Sequence, residues 1–191
     1  MLGYDEVWFG EHHSAGSEII ASPEIMIAAA AQRAPRIHFG TGVTSLSYHN
    51  PLWAADRIML LDHLTRGRTI FGVGPGSLPT DSAMIGLDPT ETRELLQENL
   101  DIVVRLLRGE TVSAKTRTHE LFDAKLQLSP FSADGIGITV AAVALHWCPA
   151  RRQIRTGAAF DRCNSVGGRL QCSCPSLGYR GRASGRQLGN R

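Results

Sequence analysis

The sequence contains no long apolar run, and this absence excludes several classes of protein. No stretch reaches the roughly eighteen apolar residues that cross a bilayer as a helix. The segment from Met1 to Glu6 also lacks the basic start and apolar middle of a signal peptide. With 42% hydrophobic and 20% charged residues, the 191-residue chain can still bury a sizeable core. We therefore expect a soluble globular protein of the cytoplasm, with no membrane partner.

Cysteine is missing from most of the chain, and lysine and acidic residues are nearly missing from its end. All four cysteines lie at or beyond position 148, and their spacing fits no disulfide framework, so we expect free thiols. Residues 1–150 carry 11 Lys and Arg against 17 Asp and Glu, a net charge of −6. Residues 151–191 carry 9 arginines, no lysine and only Asp161, a net charge of +8. An arm that binds nucleic acid would produce this asymmetry of charge, and so would a chain whose two parts have different origins.

The residues from 146 to 191 also lack hydrophobic periodicity, since Gly, Ser, Arg and Cys dominate them. Neither an interleaving of aromatic residues with the arginines nor an ordered basic helix is indicated, which disfavours nucleic-acid binding. We therefore predict a partial folded domain over 1–145. An irregular tail over 146–191, disordered or of frameshifted or misjoined origin, follows it.

Strand and helix signals alternate up to about residue 144. Apolar and β-branched runs predict strands at 6–10, 37–44, 69–73 and 135–144. Capping residues and first-turn prolines predict three helices, which begin at Ser22, Asn50 and Asp88 and end near Gln32, Gly67 and Leu107. We predict a loop over 74–87 and irregular structure over 111–131. The alternation indicates right-handed βαβ units and a parallel sheet.

A barrel and a doubly wound sheet both fit this alternation. A dinucleotide-binding doubly wound sheet carries the pattern G-x-G-x-x-G after its first strand. No such pattern follows the first strand here, and the run from Gly72 to Gly76 is followed by Ser77 where a third glycine is required. The Rossmann interpretation is therefore weakened, although the residues alone do not exclude it.

Glu11, His12, His13 and Ser14 follow the first predicted strand, at the end where parallel α/β folds place their active sites. The two histidines are adjacent and precede the helix, so they cannot face one zinc ion from one helical side, and we expect no metal. A histidine here could transfer a proton, because its ordinary pKa lies near neutrality. The alternative is that one imidazole only caps backbone groups in the loop.

Glycines end the second and third predicted strands. The runs Gly40 to Thr44 and Gly72 to Asp81 are rich in small residues, which weaken a strand unless something must approach the backbone closely. A flat ring system is one such object, and a bulge at a barrel rim is the alternative. The second run could hold an anion on its backbone N–H groups or simply turn.

Together these segments resemble a known family. The motif E-H-H at 11–13, the strand GTGVTSL with Tyr48 to Pro51, and LDHLTRGR leading into GVGPGSLPTD are similar, in order and spacing, to the bacterial-luciferase-like monooxygenases. The likeness runs from about Leu2 to Phe131. It implies an α/β fold that is part of a (β/α)8 TIM barrel. The form GPGSLPTD resembles the branch that uses FMN on hydrocarbons such as terpenes more than the branch that uses the deazaflavin F420.

The resemblance also implies roles for individual residues. His12 matches the histidine of the E-H-H motif that supports the oxygen chemistry of the flavin, and Glu11 belongs to the same motif. Thr41, Gly42 and Val43 match the strand end against the flavin ring, where family members can hold a cis peptide bond, here Gly42–Val43. Gly74, Pro75 and Gly76 match a loop near the flavin phosphate. Luciferase has an arginine at the position of Pro75, so this phosphate contact is either absent here or supplied from elsewhere.

The family chemistry implies partners as well. Reduced FMN would come from a separate NAD(P)H:flavin reductase, and one oxygen atom would enter an apolar small molecule. Family members commonly pair, so a homodimer is expected. They also have a strand and helix before the segment at 2–6 and further strands after position 150. We therefore expect low or no autonomous activity from this chain unless the missing strands come from another chain. The alternatives are an F420-dependent oxidoreductase and a non-catalytic barrel fragment whose basic tail binds nucleic acid.

Overall fold

The computed structural model describes residues 3–141. Along this part the chain forms seven strands and four helices: β1 (Glu6–Phe9), α1 (Pro23–Ala31), β2 (His38–Thr41), β3 (Thr44–Ser45), α2 (Pro51–Thr65), β4 (Thr69–Gly74), α3 (Pro79–Met84), α4 (Thr92–Leu107), β5 (Val112–Lys115), β6 (Glu120–Ala124) and β7 (Gly137–Val140). The predicted tail over 146–191, its cysteines and the end of the fourth predicted strand lie outside the described residues. None of the helices between residues 3 and 141 is long and apolar enough to span a bilayer.

The main sheet is parallel, and its long strands neighbour one another in chain order. β1 pairs with β2, β2 with β4 and β4 with β7, and β3 extends the line of β2 alongside β4. A doubly wound sheet would reverse this order at a switch point, whereas a barrel adds each strand beside the preceding one. Among the described strands there is no reversal. The predicted α/β sheet is confirmed, and its order is that of a partial barrel.

The second predicted strand is interrupted rather than continuous. The peptide bond Gly42–Val43 is cis, as the family resemblance implies, and it separates β2 from β3. Next to the break, the hydroxyl of Thr41 donates to the carbonyl of Gly72 over 2.7 Å and accepts from the N–H of the same residue over 2.9 Å. A side chain therefore ties the end of β2 to β4 where the two strands stop pairing directly.

The core lies between the sheet and the helices that cover it. Phe39 of β2 and Phe71 of β4 are completely buried, and they belong to one cluster with Ile58 of α2 and Val103 of α4. α4 also holds the 3₁₀ turn at Leu46–Tyr48, because the buried amide of Asn99 donates to the carbonyls of Leu46 and His49 over 3.0 and 3.2 Å. The core therefore fixes the turn that leads into α2.

The predicted helix starts are partly correct. Asn50 caps α2, since its side-chain oxygen accepts from the N–H groups of Leu52 and Trp53. Ser22 makes no such bond; its hydroxyl donates to Glu24 over 2.9 Å. The capping box predicted at Asp88 is also wrong, because its carboxylate binds Thr90 two residues on and the helix begins later, at Thr92. In both places a short polar side chain is bonded to a residue two positions on instead of to the free backbone N–H groups of the first helical turn.

Two elements were missing from the sequence prediction. The predicted loop over 74–87 contains α3, and the irregular stretch over 111–131 contains the antiparallel hairpin β5–β6. The hairpin is held from outside: Arg117 at its tip reaches three glutamates on or just before α4, with Nε 3.2 Å from Glu98. The sequence of the hairpin does not alternate cleanly between apolar and polar residues. Leu121 and Phe122 are adjacent and both apolar, yet Leu121 is buried and Phe122 is 78% exposed.

Gly72→Ala provides a test of this packing. A methyl group at position 72 would lie 1.9 Å from the carbonyl oxygen of Thr41, so β2 and β4 would have to separate. We expect the free energy of unfolding to fall by about 3 kcal/mol, the upper end for an overpacked site. The measurement is urea denaturation followed by circular dichroism. Gly10→Ala is the control, because its methyl group would meet ordinary contacts of 3.4 Å; equal stability of the two variants would contradict the packing described.

Candidate active site

The sequence-predicted site residues converge at the carboxyl end of the parallel sheet. The loop after β1 carries the E-H-H motif, the cis peptide follows β2, and the segment Gly74 to Gly76 ends β4. The N–H of Glu11 donates to the carbonyl of Val43 over 3.2 Å, and the N–H of Gly42 donates to the carbonyl of Phe9 over 2.6 Å. Backbone hydrogen bonds thus join the motif to the cis peptide.

The carboxylate of Glu11 is the centre of this region. Its side chain is 1% exposed, and both oxygens are used. Oε1 lies 2.9 Å from Nε2 of His13 and 2.8 Å from Nε2 of His49, while Oε2 accepts from the N–H of Ser45 over 2.7 Å. One side chain therefore connects the loop after β1, the strand β3 and the start of α2.

Two opposing effects act on the pKa of Glu11. Burial alone raises the pKa of its carboxyl group, because the charged form is taken out of water. The hydrogen bonds from His49, from His13 and from the N–H of Ser45 favour the charged form, and together they outweigh the burial. The pKa of Glu11 is lowered from its ordinary value, so the group is a carboxylate at neutral pH.

His13 and Ser14 fasten the same loop to α3. The backbone N–H of His13 donates to Oδ2 of Asp81 over 3.3 Å, and the hydroxyl of Ser14 binds the other carboxylate oxygen of Asp81. Asp81 is buried, and neighbouring Tyr48 is hydrogen-bonded to Ser82 of the same helix over 3.1 Å. Burial raises the pKa of Tyr48, and the nearby carboxylates of Asp81 and Glu11 raise it further. Tyr48 therefore stays a neutral hydrogen-bonding group.

His12 has a different environment from His13. Its Nε2 lies 2.6 Å from Oε2 of Glu18, which belongs to the same loop, and its Nδ1 is buried without a hydrogen-bond partner among the described residues. An ionised carboxylate only accepts hydrogen bonds, so Glu18 places a proton on Nε2. In the neutral ring Nδ1 then carries the free lone pair. His12 thus offers a buried acceptor at Nδ1, while the Nε2 side of its ring is the side that approaches Gly10, 3.4 Å from where a Cβ there would lie.

The strand glycines accommodate a flat ring that belongs to the protein itself. A methyl group at Gly40 would lie 2.2 Å from the indole of Trp8, and one at Gly42 would lie 3.1 Å from the Cβ of Trp8. A methyl group at Gly72 would also approach the indole, at 3.2 Å. The close approach expected from these glycines is therefore present, and Trp8 accounts for most of it. The hydroxyl of Thr41 is likewise occupied by Gly72.

The remaining predicted residues lie together beyond β4. A methyl group at Gly74 would meet Cγ2 of Val43 at 2.7 Å, so these two residues are in close contact across the strand ends. The carbonyl of Pro75 accepts from the hydroxyl of Ser47 over 2.6 Å. Gly76 has a φ of 73° and leaves room only for the ring of Tyr48, whose oxygen would lie 2.2 Å from a Cβ there. These close contacts require glycine at positions 74 and 76.

Sequence reasoning missed several of the residues that complete the site. His49, Tyr48 and Asp81 were part of the resemblance but were given no role, and Glu18 and Arg57 carried no signal of their own. Their positions relative to Glu11 and His12 depend on the packing of α2 and α3, which a linear motif does not reveal. Within residues 3–141 there is also no group of three His, Cys, Asp or Glu side chains arranged to hold a metal ion.

The carboxylate of Glu11 predicts how the stability of the protein depends on pH. Because its pKa is lowered in the folded chain, its contribution is fully present above the ordinary value of 4.5 and is lost as the pH falls through the lowered value. Glu11→Gln should therefore reduce the free energy of unfolding at pH 7 by about 1–3 kcal/mol and flatten its decline below pH 4.5. Chemical denaturation between pH 3 and 7 measures both effects. Exposed Asp5→Asn serves as the control, and a curve for Glu11→Gln parallel to the wild type would contradict this account.

Comparison with known proteins places this arrangement in a family. Residues 1–146 match the model of the luciferase-like monooxygenases. The chain is 55% identical over 131 residues to limonene 1,2-monooxygenase of Rhodococcus erythropolis, covering 69% of this chain and 34% of that protein. It is 52% identical over 143 residues to 4-hydroxyprotoasukamycin monooxygenase of Streptomyces nodosus subsp. asukaensis, covering 74% and 38%. The chain therefore spans little more than a third of the length of these relatives.

A solved structure agrees with the fold. The oxygenating constituent of 3,6-diketocamphane monooxygenase from the CAM plasmid of Pseudomonas putida, a type II Baeyer–Villiger monooxygenase in complex with FMN, superposes with a TM-score of 0.66 at 26% identity. The match covers 73% of this chain and 42% of that one. F420-dependent enzymes are among the more distant relatives. Since the family model covers most of the sequence and the strand order is that of a barrel, the chain belongs to the luciferase-like monooxygenases.

Proposed function

We propose that this chain forms one side of the active site of an FMN-dependent monooxygenase, which inserts one atom of O2 into an apolar organic substrate. The observation that carries the proposal is the buried Nδ1 of His12, which has no partner among the described residues and lies in the loop next to the cis peptide Gly42–Val43. A buried polar atom without a partner is costly unless a bound group satisfies it. The F420-dependent oxidoreductase is the alternative.

The residues at the strand ends fit a flavin. Besides His12, the hydroxyl of Thr44 is buried and unpaired among the described residues, so two polar atoms are open to a ligand. In this proposal Glu11, Thr41, Gly42 and Val43 hold the ring through backbone atoms, because the side chains of Glu11 and Thr41 are already bonded. The segment Gly74 to Gly76 lies near the phosphate. It contains no charged side chain, so an additional cation must neutralise that group.

Bound reduced FMN would supply the two electrons with which one oxygen atom enters the substrate and the other leaves as water. The part of the protein is to exclude water and to move protons. In this proposal His12 moves protons through Nδ1, which can accept a proton or a hydrogen bond while Glu18 is bonded to Nε2. The neighbouring Glu11 keeps its charge throughout, since three hydrogen bonds stabilise it.

The relatives suggest the substrate class and the partners. Limonene is an apolar terpene, and the proposal takes an apolar small molecule as substrate and a separate NAD(P)H:flavin reductase as the source of reduced FMN. Residues 1–145 form the flavin-binding part, and 146–191 take no part in it. A cytoplasmic location remains a prediction. A homodimer is supported by exposed apolar side chains along α2, where Trp53 is 65% and Leu60 53% exposed.

Titration of the purified chain with FMN and with F420 tests the cofactor. We expect saturable quenching of FMN fluorescence and none with F420, because the GPGSLPTD segment resembles the FMN branch. Tight binding of F420 alone would select the alternative. Binding of neither would overturn the proposal and leave an inert fragment of the barrel.

His12→Ala tests the catalytic residue. General acid–base groups contribute about 100-fold or more to a rate, so product formation with chemically reduced FMN should fall by about that factor. FMN affinity should change little, because the ring is held mainly by backbone atoms. His38→Ala, which alters an exposed histidine on β2, is the control. An unchanged rate in His12→Ala would remove this residue from the mechanism.

A further inference from the structure

A row of charged and polar side chains leads from the outside of the barrel to Glu11. Glu24 of α1 lies 3.6 Å from Nε of Arg57 on α2, and Nη2 of Arg57 lies 3.1 Å from Nδ1 of His49. Nε2 of His49 then lies 2.8 Å from the carboxylate of Glu11. Glu24 is 11% exposed, and from Arg57 inward the side-chain exposure falls from 43% to 21% for His49 and 1% for Glu11.

These contacts fix where the proton of His49 lies. A guanidinium group has only donors and is not deprotonated in proteins, so Nδ1 of His49 must accept from Arg57 and carry no proton. Nε2 must then carry the proton that is donated to Glu11. The ring is therefore neutral, with a single tautomer.

A neutral His49 is the opposite of what a buried carboxylate at Glu11 alone would favour. A histidine beside a buried carboxylate ordinarily takes up a second proton, since the ion pair stabilises the imidazolium. The groups that face His49 are the carboxylate of Glu11, with His13 on the same oxygen, and Arg57 with Glu24 behind it. Because the cation of Arg57 occupies Nδ1, a second proton has no place at His49.

We infer that Arg57 is a positioning residue that acts through His49: by donating to Nδ1 it fixes the tautomer in which Nε2 of His49 carries a proton and donates it to Glu11. His49 then gives Glu11 a hydrogen bond of fixed direction, and the carboxylate holds the E-H-H loop in place. The inference deepens the proposed function, and its consequence for catalysis rests on that function.

The protonation of His49 can be observed directly. In long-range ¹H–¹⁵N spectra of the ¹⁵N-labelled full chain at pH 7, we expect His49 to show a protonated Nε2 and a bare Nδ1. In Arg57→Met, Nδ1 loses its donor and is free to carry a proton, so its signal should shift toward that of a protonated nitrogen. Exposed Arg93→Met on α4 is the matched control and should leave His49 unchanged. A doubly protonated His49 in the wild type, or no change in Arg57→Met, would overturn the inference.

Rescue by a conservative substitution separates positioning from simple packing. In His49→Gln the side-chain amide can donate to Glu11 and its oxygen can accept from Arg57, whereas His49→Leu can do neither. We expect His49→Gln to retain the steep loss of stability below pH 4.5 that Glu11 produces and His49→Leu to lose it. Equal behaviour of the two variants would contradict the inference. None of these measurements needs a flavin, so their failure is distinguishable from failure of the FMN titration.

Discussion

The burial of one carboxylate, that of Glu11, determines how this end of the barrel is built. A charged group removed from water must be matched by donors, and the fold supplies three of them from three separate elements. Ser45 comes from β3, His49 from the start of α2 and His13 from the motif itself. The loop after β1, the interrupted second strand and the turn before α2 are therefore connected through one side chain, and none can shift without leaving a donor or the carboxylate unpaired.

The two adjacent histidines, His12 and His13, have different surroundings. His13 shares the buried carboxylate of Glu11, while His12 is paired with Glu18 in the exposed loop and keeps a buried lone pair unused. The same residue type therefore has two different sets of partners one position apart: His13 is bonded to the interior carboxylate of Glu11, and His12 to a carboxylate of its own loop.

The sequence predicted the parallel sheet and the placement of the E-H-H motif, because hydrophobic runs are local signals. Two predicted caps were wrong because Ser22 and Asp88 bind residues two positions on instead of the N–H groups of the first helical turn. The hairpin β5–β6 was missed because the contacts that hold it join Arg117 to α4, far away in the sequence. The close approach at the strand glycines was predicted, but at Gly40 and Gly42 the indole of Trp8 accounts for it, and only the assembled sheet brings that ring to them. The roles of His49 and Arg57 were not predicted for the same reason, because they depend on the packing of α2.

One oxygen of Glu11 is shared by two histidines. His13 and His49 both direct Nε2 at Oε1 of Glu11, so they compete for the same lone-pair density while Oε2 is fixed by Ser45. A displacement of His13 that draws this oxygen with it lengthens the bond to His49, which immediately precedes the cap of α2. A movement of the E-H-H motif is thus transmitted to α2 through one oxygen atom.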